Sequence, residues 1–257
     1  MELKICSFNS RCARDRTKDG INNFFERTER IREFIERESP DVIGLQEITD
    51  VMREWYIDAL EDYYIVGGGR DADFGGESSA IAFKKRDMQL ISVKTEMLSS
   101  EPNKQGSRYE GSDQSVCPRV YTRAYFKHKD IKTPFYVYNV HTDHKGSLAR
   151  KLASMQMVRD VCSHDEIFFM TGDFNATPET DEIGLLTSLP RIVDVTENIE
   201  RTFHQFGRLS EEQMSKIDYI FADSRASLVR SWRVEDEPKD GVYISDHYPI
   251  LAIFELE

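Results

Sequence analysis

The chain has no apolar run near the ~20 residues a bilayer crossing requires. Its first residues, Met1 to Phe8, read as a strand and show no secretory h-region. The four cysteines, Cys6, Cys12, Cys117 and Cys162, form neither a CxxC pair nor a zinc spacing, which argues against a zinc module and a disulfide scaffold. They read as packing thiols of a reducing compartment, so the expected location is cytoplasmic. With 14 glycines and 8 prolines, low-complexity linkers are not expected, and there is no internal repeat. Positive charge is also short: 34 Lys and Arg face 46 Asp and Glu, a net charge of −12. The densest basic cluster, Lys84-Lys85-Arg86, reads as a hairpin turn. Duplex binding draws on Lys and Arg contacts to phosphates, so nucleic acid is disfavoured as a partner. Without a basic amphipathic helix, no membrane partner is expected, and no obligate protein partner is evident.

Apolar residues make up 39% of the 257 and charged residues 31%, the balance of a globular protein with a sizeable core. Strand and helix signals alternate from end to end. After the first strand comes a polar loop, Arg11 to Asp19. Apolar residues from Ile21 to Ile35 then recur at helical spacing until Ser39-Pro40. Val42–Leu45, Ser79–Phe83, Val120–Phe126, Phe135–Val140, Ile167–Met170, Ile217–Phe221, Leu228–Val234 and Ile250–Leu256 read as strands. Asp50 is placed to cap a helix running to about Leu60. Leu148, Leu152, Met155, Val158 and Cys162 predict one helix face, and Thr177-Pro178-Glu179 predicts another helix start. Ser99 to Gln114 is the longest stretch without periodicity, the mark of a functional or disordered loop. The expectation is one α/β domain over 1–257, two stacked sheets flanked by helices.

Four segments are sharply polar where a buried strand ends or begins. Val42–Leu45 runs into Gln46-Glu47, and Tyr136–Val140 into His141-Thr142-Asp143-His144. Ile167–Met170 runs into Thr171-Gly172-Asp173-Phe174-Asn175, and Ser245-Asp246-His247-Tyr248-Pro249 precedes the last strand. A single Asp or Glu at a strand end is usually just solvated. Four coincident cases predict one cleft shared by Glu47, His141, Asp173, Asn175, Asp246 and His247. Glu47, Asp173 and Asp246 offer hard oxygen donors suited to Mg²⁺ or Mn²⁺. His141 and His247 can hydrogen-bond a phosphate whose charge grows during reaction. Asn175 can hold a water without competing for its protons. No Ser or Cys nucleophile accompanies them, so the chemistry is direct attack of water on a phosphoryl centre.

Six segments in order resemble the endonuclease/exonuclease/phosphatase superfamily: Ser7-Phe8-Asn9, Gly44-Leu45-Gln46-Glu47, Asn139 to His144, Thr171 to Asn175, Lys216 to Phe221 and Ser245 to Pro249. His141-Thr142-Asp143-His144, Cys117-Pro118-Arg119 and Phe203 to Gly207 look like its stand-alone bacterial members, grouped with deadenylase and nocturnin-type domains. The resemblance implies a four-layer α/β/β/α sandwich with the site at one edge. It implies Glu47 as principal metal ligand with Asn9 and Asp246 beside it, and Mg²⁺ as cofactor with Mn²⁺ as substitute. Asp173 is then the general base and Asn175 its partner in positioning water. His247, oriented by Asp218, and His141, paired with Glu77, bind the scissile phosphate, and Arg119 holds a phosphate oxygen. Asp143 and His144 are catalytic or structural. Ser10 and Thr142 depart from the family's usual aliphatic residues beside these positions.

The superfamily cleaves many phosphoesters, so fold and site do not name the substrate. Setting aside Glu47, Glu77, Asp173, Asp218 and Asp246 still leaves a charge of −7. The expectation is therefore a Mg²⁺-dependent hydrolase of a small phosphorylated molecule or nucleotide. The alternatives are a nuclease and, remotely, a non-catalytic binding protein on the same fold. Crowded carboxylates further predict that Glu47→Gln stabilises the metal-free protein by roughly 0.5–2 kcal/mol.

Overall fold

Side chains alternate across the central strands, and the alternation builds three apolar layers. In β1 (Glu2–Asn9), Leu3 and Ile5 face one side and Cys6 and Phe8 the other. The computed structural model describes residues 1–13 and 19–256; residues 14–18 of the expected polar loop lie outside them. The chain continues through α1 (Phe24–Glu38), β2 (Val42–Ile48), α2 (Asp50–Ala59), β3 (Tyr63–Val66), β4 (Ser78–Lys84), β5 (Met88–Met97), β6 (Val120–His128) and β7 (Phe135–His141). Then follow α3 (Ser147–Val161), β8 (Ile167–Asp173), α4 (Asp181–Thr187), β9 (Ile192–Asp194), β10 (Asp218–Asp223), β11 (Ser227–Arg233) and β12 (Ile250–Glu255).

The strands form two six-stranded mixed sheets, ordered β11-β12-β1-β2-β4-β3 and β5-β6-β7-β8-β10-β9. Leu3, Ile5, Phe83, Phe126, Phe169 and Phe254 meet between the sheets. Phe34 of α1 and Met52 of α2 cover the outer face of the first sheet. Met157 of α3 and Leu186 of α4 cover that of the second. This is the four-layer α/β/β/α sandwich. Each sheet holds one parallel pair, β1 with β2 and β7 with β8, and each pair is joined by a crossover helix, α1 or α3. The C-terminal ends of these four strands carry Asn9, Glu47, His141 and Asp173, which places the chemistry at one edge.

Several elements differ from the sequence reading. The buried row of α3 is Ala149, Ala153, Met157 and Val161, while Leu148 and Met155 are 47% and 42% exposed. Ala153, Met157 and Val161 join the core under the second sheet, and a stripe weighted by Leu and Met selects the neighbouring face. The helix expected at Thr177 starts after Thr180, because the Thr177 hydroxyl donates to Glu179 Oε1 at 2.6 Å instead of capping. α1 starts at Phe24, where Asn23 Oδ1 accepts from Phe25 N at 3.0 Å, and Ile21 is left exposed. The α2 cap position is Thr49, with Asp50 as the first helical residue. Lys85 and Arg86 form a turn that carries the chain from the first sheet to the second, not a hairpin within one. The Ser99–Gln114 segment is pinned at both ends: Ser99 N donates to Gln156 Oε1 at 3.3 Å, and Asp113 accepts from Leu148 N and Ala149 N at the start of α3. Among the described residues, no helix is long and apolar enough to cross a membrane.

Candidate active site

Strand register assembles the first part of the site. His141 on β7 lies beside Asp173 on β8, and Asp173 beside Asp218 on β10. Neighbouring register positions project to the same face, so three sequence-distant residues converge. A buried polar layer holds the two sheets together beneath them. Gln46 Nε2 donates to Asn139 Oδ1 at 2.6 Å, Thr171 Oγ1 donates to the same oxygen at 3.1 Å, and Asn139 Nδ2 donates to Leu45 O and Ala80 O. Gly44 is required there, since a Cβ would lie 1.9 Å from Thr171 Oγ1.

Asp173 is 2% exposed. Its Oδ2 accepts from Asn9 Nδ2 and its Oδ1 from Asn175 N, both at 2.9 Å. Burial and the Asp218 charge lift its carboxyl to about 7, against the opposing pull of His247, Asn175 and Asn9. His247 Nδ1 lies 2.8 Å from Asp218 Oδ2, and its Nε2 points toward Asp173 Oδ2 at 3.9 Å. Burial alone would lower His247, but Asp218, Asp173 and Asp246 hold its proton and raise it to about 10. His141 is the opposite case: burial and the Arg119 charge push it well below its ordinary value, so it stands neutral, 3.6 Å from Asp173 Oδ2.

Glu47 occupies a bulge in β2 with φ 64, a strained conformation of the kind concentrated at functional sites. Cys12 N donates to its Oε2 at 2.8 Å, and Asn9 Nδ2 approaches Oε1 at 3.4 Å. Burial favours the neutral acid, yet its neighbours His141 and Arg11 and the Cys12 N–H outweigh it and hold the group well below the ordinary carboxylate range. Glu47 is thus a carboxylate whose charge is stabilised, and Asp173 is one whose charge is opposed. The expected stabilisation by Glu47→Gln is reversed on this geometry. Burial lifts Asp246; His247 draws it down and the Glu47 charge pushes it up. Arg11 Nε stands 3.6 Å from Asp246 Oδ2.

Glu77 is placed differently from the sequence expectation. It pairs with Arg70 at 2.7 Å, and the Asp173 carboxylate lies 3.6 Å from His141 Nε2. The glycines around it explain the pairing: Arg70 N donates to Glu77 O and Asp71 N to Gly75 O, closing a turn in which a Cβ on Gly69 would lie 2.1 Å from Gly75 O. Asp143 is a structural hub, accepting from Ser115 N, Ser115 Oγ, Lys145 N and Gly146 N. His144 Nδ1 lies 3.0 Å from Arg119 Nη2. Both departures from the family pattern are locally satisfied. Ser10 Oγ bonds Tyr56 OH at 2.6 Å, and the Thr142 hydroxyl donates to Phe174 O.

Glu47, Glu77, Arg119, His141, Asp173, Asn175, Asp246 and His247 line a cleft of about 460 Å³ whose wall also carries Arg11, Arg70, Lys145 and Arg208. Arg11 and Arg70 were missed by the sequence reading; the Gly67-Gly68-Gly69 and Gly75-Gly76 runs around Arg70 were the available signal. Glu47 and Asp246 form a donor set that fits a hard divalent cation, and a cation would relieve their mutual repulsion. Asn9 presents Nδ2 to the carboxylates while its Oδ1 accepts from Arg11 N, so ligation by Oδ1 requires the amide to turn. Among the described residues, the ligand atoms of Asp173, Asp218 and His247 also lie within 4.8 Å of one another. A protonated imidazole is no metal ligand, so this trio is read as a proton-holding network.

A two-sheet sandwich with carboxylates and histidines at its strand ends defines a phosphoesterase architecture. Residues 6–247 match the sequence model of the Endonuclease/Exonuclease/phosphatase family, and the chain belongs to that family. The crystal structure of the endonuclease/exonuclease/phosphatase from Bacteroides vulgatus is similar over all of both chains, with 28% identity and a TM-score of 0.92. The Bacteroides thetaiotaomicron mannosyl-6-phosphatase is 24% identical over 99% of this chain and 100% of its own, with a TM-score of 0.88. The human nocturnin catalytic domain with bound sulfate is 15% identical over 100% and 94%, with a TM-score of 0.75. No curated protein sequence matches.

Proposed function

We propose that the chain, acting as one catalytic domain, is a Mg²⁺-dependent hydrolase of a small phosphorylated molecule or nucleotide. The observation that carries this reading is the Asp218–His247–Asp173 array, which sets a protonated imidazole beside a carboxyl whose titration lies near neutrality. Asp173 is the general base, because a base is most effective when its pKa lies near the working pH. Asn175, its backbone N–H tied to Asp173, positions the attacking water. His247 donates from Nε2 to a phosphoryl oxygen as negative charge develops, and Asp218 keeps its proton in place. Neutral His141 hydrogen-bonds the same group from the other side. Glu47 and Asp246, with Asn9 after rotation of its amide, would hold the metal, which supplies Lewis-acid stabilisation of the phosphoryl oxygens and leaving group.

A cleft of about 460 Å³ suits a small ligand. The similar mannosyl-6-phosphatase supports a phosphorylated small molecule over a polymer. All four cysteines are thiols, in keeping with a cytoplasmic location. The test is a panel of phosphomonoesters, phosphodiesters and oligonucleotides assayed with and without Mg²⁺. Metal-dependent turnover of a small phosphoester is expected; cleavage confined to oligonucleotides overturns the substrate class.

A further inference from the structure

The apolar stripe of α1 is interrupted by a charge. Phe24, Ile31, Phe34 and Ile35 are buried, and so is Arg27, which is 0% exposed at a core position between Phe24 and Ile31. A side chain of this type is almost never fully buried without partners. Its partners are four backbone carbonyls. Nε donates to Asn22 O at 2.8 Å, Nη1 to Ser10 O at 2.9 Å and to Ile244 O at 2.6 Å, and Nη2 to Arg11 O at 2.9 Å. The rings of Phe24 and Phe206 flank the guanidinium, each centroid 5.8 Å from its central carbon. A planar fork of five fixed donors lets one side chain meet several carbonyls in set directions, which an ammonium cannot do.

Three of these carbonyls belong to two segments outside the strands. Ser10 and Arg11 follow Asn9 at the end of β1, and Ile244 stands two residues before Asp246. From Tyr243 to Asp246 the backbone is neither helix nor strand, so side chains fix it. Asn22 Oδ1 accepts from Tyr243 N at 2.8 Å, Asp236 Oδ2 accepts from Ile244 N at 2.6 Å, and the Ser245 hydroxyl donates to Asn9 O at 2.7 Å. Arg30, one turn further along α1, holds Asp236 at 2.8 Å. In the first segment, Ser10 N donates to Gln46 O and Cys12 N to Glu47 Oε2. Asn9 and Glu47 are thus tied to one segment and Asp246 to the other. A single nitrogen, Arg27 Nη1, bonds both segments at once.

We propose that Arg27 is a positioning residue for the metal ligands: by bonding the Ser10–Arg11 segment to Ile244, it sets Asp246 against Asn9 and Glu47 before any cation arrives. This rests on the metal reading of Glu47, Asp246 and Asn9 above. Fully buried, Arg27 meets neither cation nor substrate and acts through these carbonyls. Ligands held in place beforehand spare the cation the cost of ordering two loops, and partners behind the ligands are typically worth roughly ten- to a hundredfold in metal affinity.

Mn²⁺ titrated into the metal-free protein, with the free ion counted by its electron paramagnetic resonance signal, reads the ligand set without turnover. Arg27→Met should bind Mn²⁺ at least ~10-fold more weakly than the wild type. Phe254→Leu, in the core between the sheets, lowers stability away from the site and should keep wild-type affinity. A smaller loss in Arg27→Met overturns the proposal. So does an equal loss in Phe254→Leu, which would make Arg27 a contributor to stability alone. If Arg27→Met does not fold, amide hydrogen exchange in the wild type decides. In EDTA the Ser10 and Ile244 amides should exchange at least ~10²-fold more slowly than in an unfolded chain, and Mg²⁺ should slow them less than ~10-fold further. Fast exchange in EDTA that Mg²⁺ slows by ~10-fold or more would assign the ordering to the cation and overturn the proposal. A wild type that binds no Mn²⁺ removes the metal reading and the proposal with it. Wild-type binding with unchanged affinity in Arg27→Met removes the positioning role alone.

Discussion

Asp173→Asn should make the metal-free protein more stable and nearly inactive, and the gain should depend on pH. The carboxyl is lifted from 3.8 to about 7, first by burial and then by Asp218. That interval corresponds to about 4 kcal/mol of penalty for holding the ionised form in the folded state. The penalty is absent below pH ~4, where the group is protonated both folded and unfolded. It grows as pH rises toward 7 and is fully present above, because the unfolded chain ionises first. Asparagine keeps the shape and one acceptor oxygen but loses the attraction to His247, so roughly 1–3 kcal/mol of net gain is expected at pH 8. For a chain of this length that is an increase of about 2–10 °C in Tm. Thermal melts in EDTA at pH 4.5 and pH 8 measure the difference directly. The variant should match the wild type at the lower pH and exceed it at the higher. A difference of the same size at both pH values, or a less stable variant at pH 8, would show that Asp173 is an ordinary satisfied carboxylate. kcat should fall by at least ~10² in the same variant, since the base is gone.

Activity should require Mg²⁺ or Mn²⁺ and cease in EDTA, and full activity in chelator would remove the metal role of Glu47 and Asp246. Glu47→Gln should cost the metal-free protein about 1–2 kcal/mol through weaker bonds to Cys12 N and Asn9, and should abolish the Tm increase caused by Mg²⁺; a melt with and without the ion reads both. His247→Ala should lower kcat by ~10² or more. Because His247 is held protonated to about pH 10, the alkaline limb of the wild-type pH–rate profile should lie high. Asp218→Asn should move that limb down toward the ordinary histidine range, and an unmoved limb would separate Asp218 from His247 function. KM for the substrate should rise only modestly between ~50 and ~200 mM salt, as for one or two phosphate contacts; efficient plasmid nicking at physiological salt would instead favour a nuclease.

The sequence by itself determined the layered architecture and the kind of chemistry. Short apolar strands such as Val42–Leu45 and Ile167–Met170 are legible because burial on both faces leaves no polar alternation, and a polar cluster where such a strand ends or begins stands out against it. Glu47, His141, Asp173, Asp246 and His247 could be gathered in that way without coordinates, and all line the cleft. Local signals failed where geometry is set by a distant neighbour. The buried face of α3 is set by the sheet residues it packs on, such as Tyr138 and Phe168, which no hydropathy stripe records. The turn at Lys85-Arg86 joins two sheets because of strand order, not because of its own residues. Only the tertiary structure decided which carboxylate bears the strain. Glu47 and Asp173 look alike as acidic residues at strand ends, but the Cys12 N–H and Arg11 stabilise one charge, while Asp218, the register partner on the neighbouring strand, opposes the other. It likewise paired Glu77 with Arg70, and among the described residues left Arg119 Nε and Nη1 without a hydrogen-bond partner. Burial and the neighbours' charges set protonation, and both come from residues far apart in the chain.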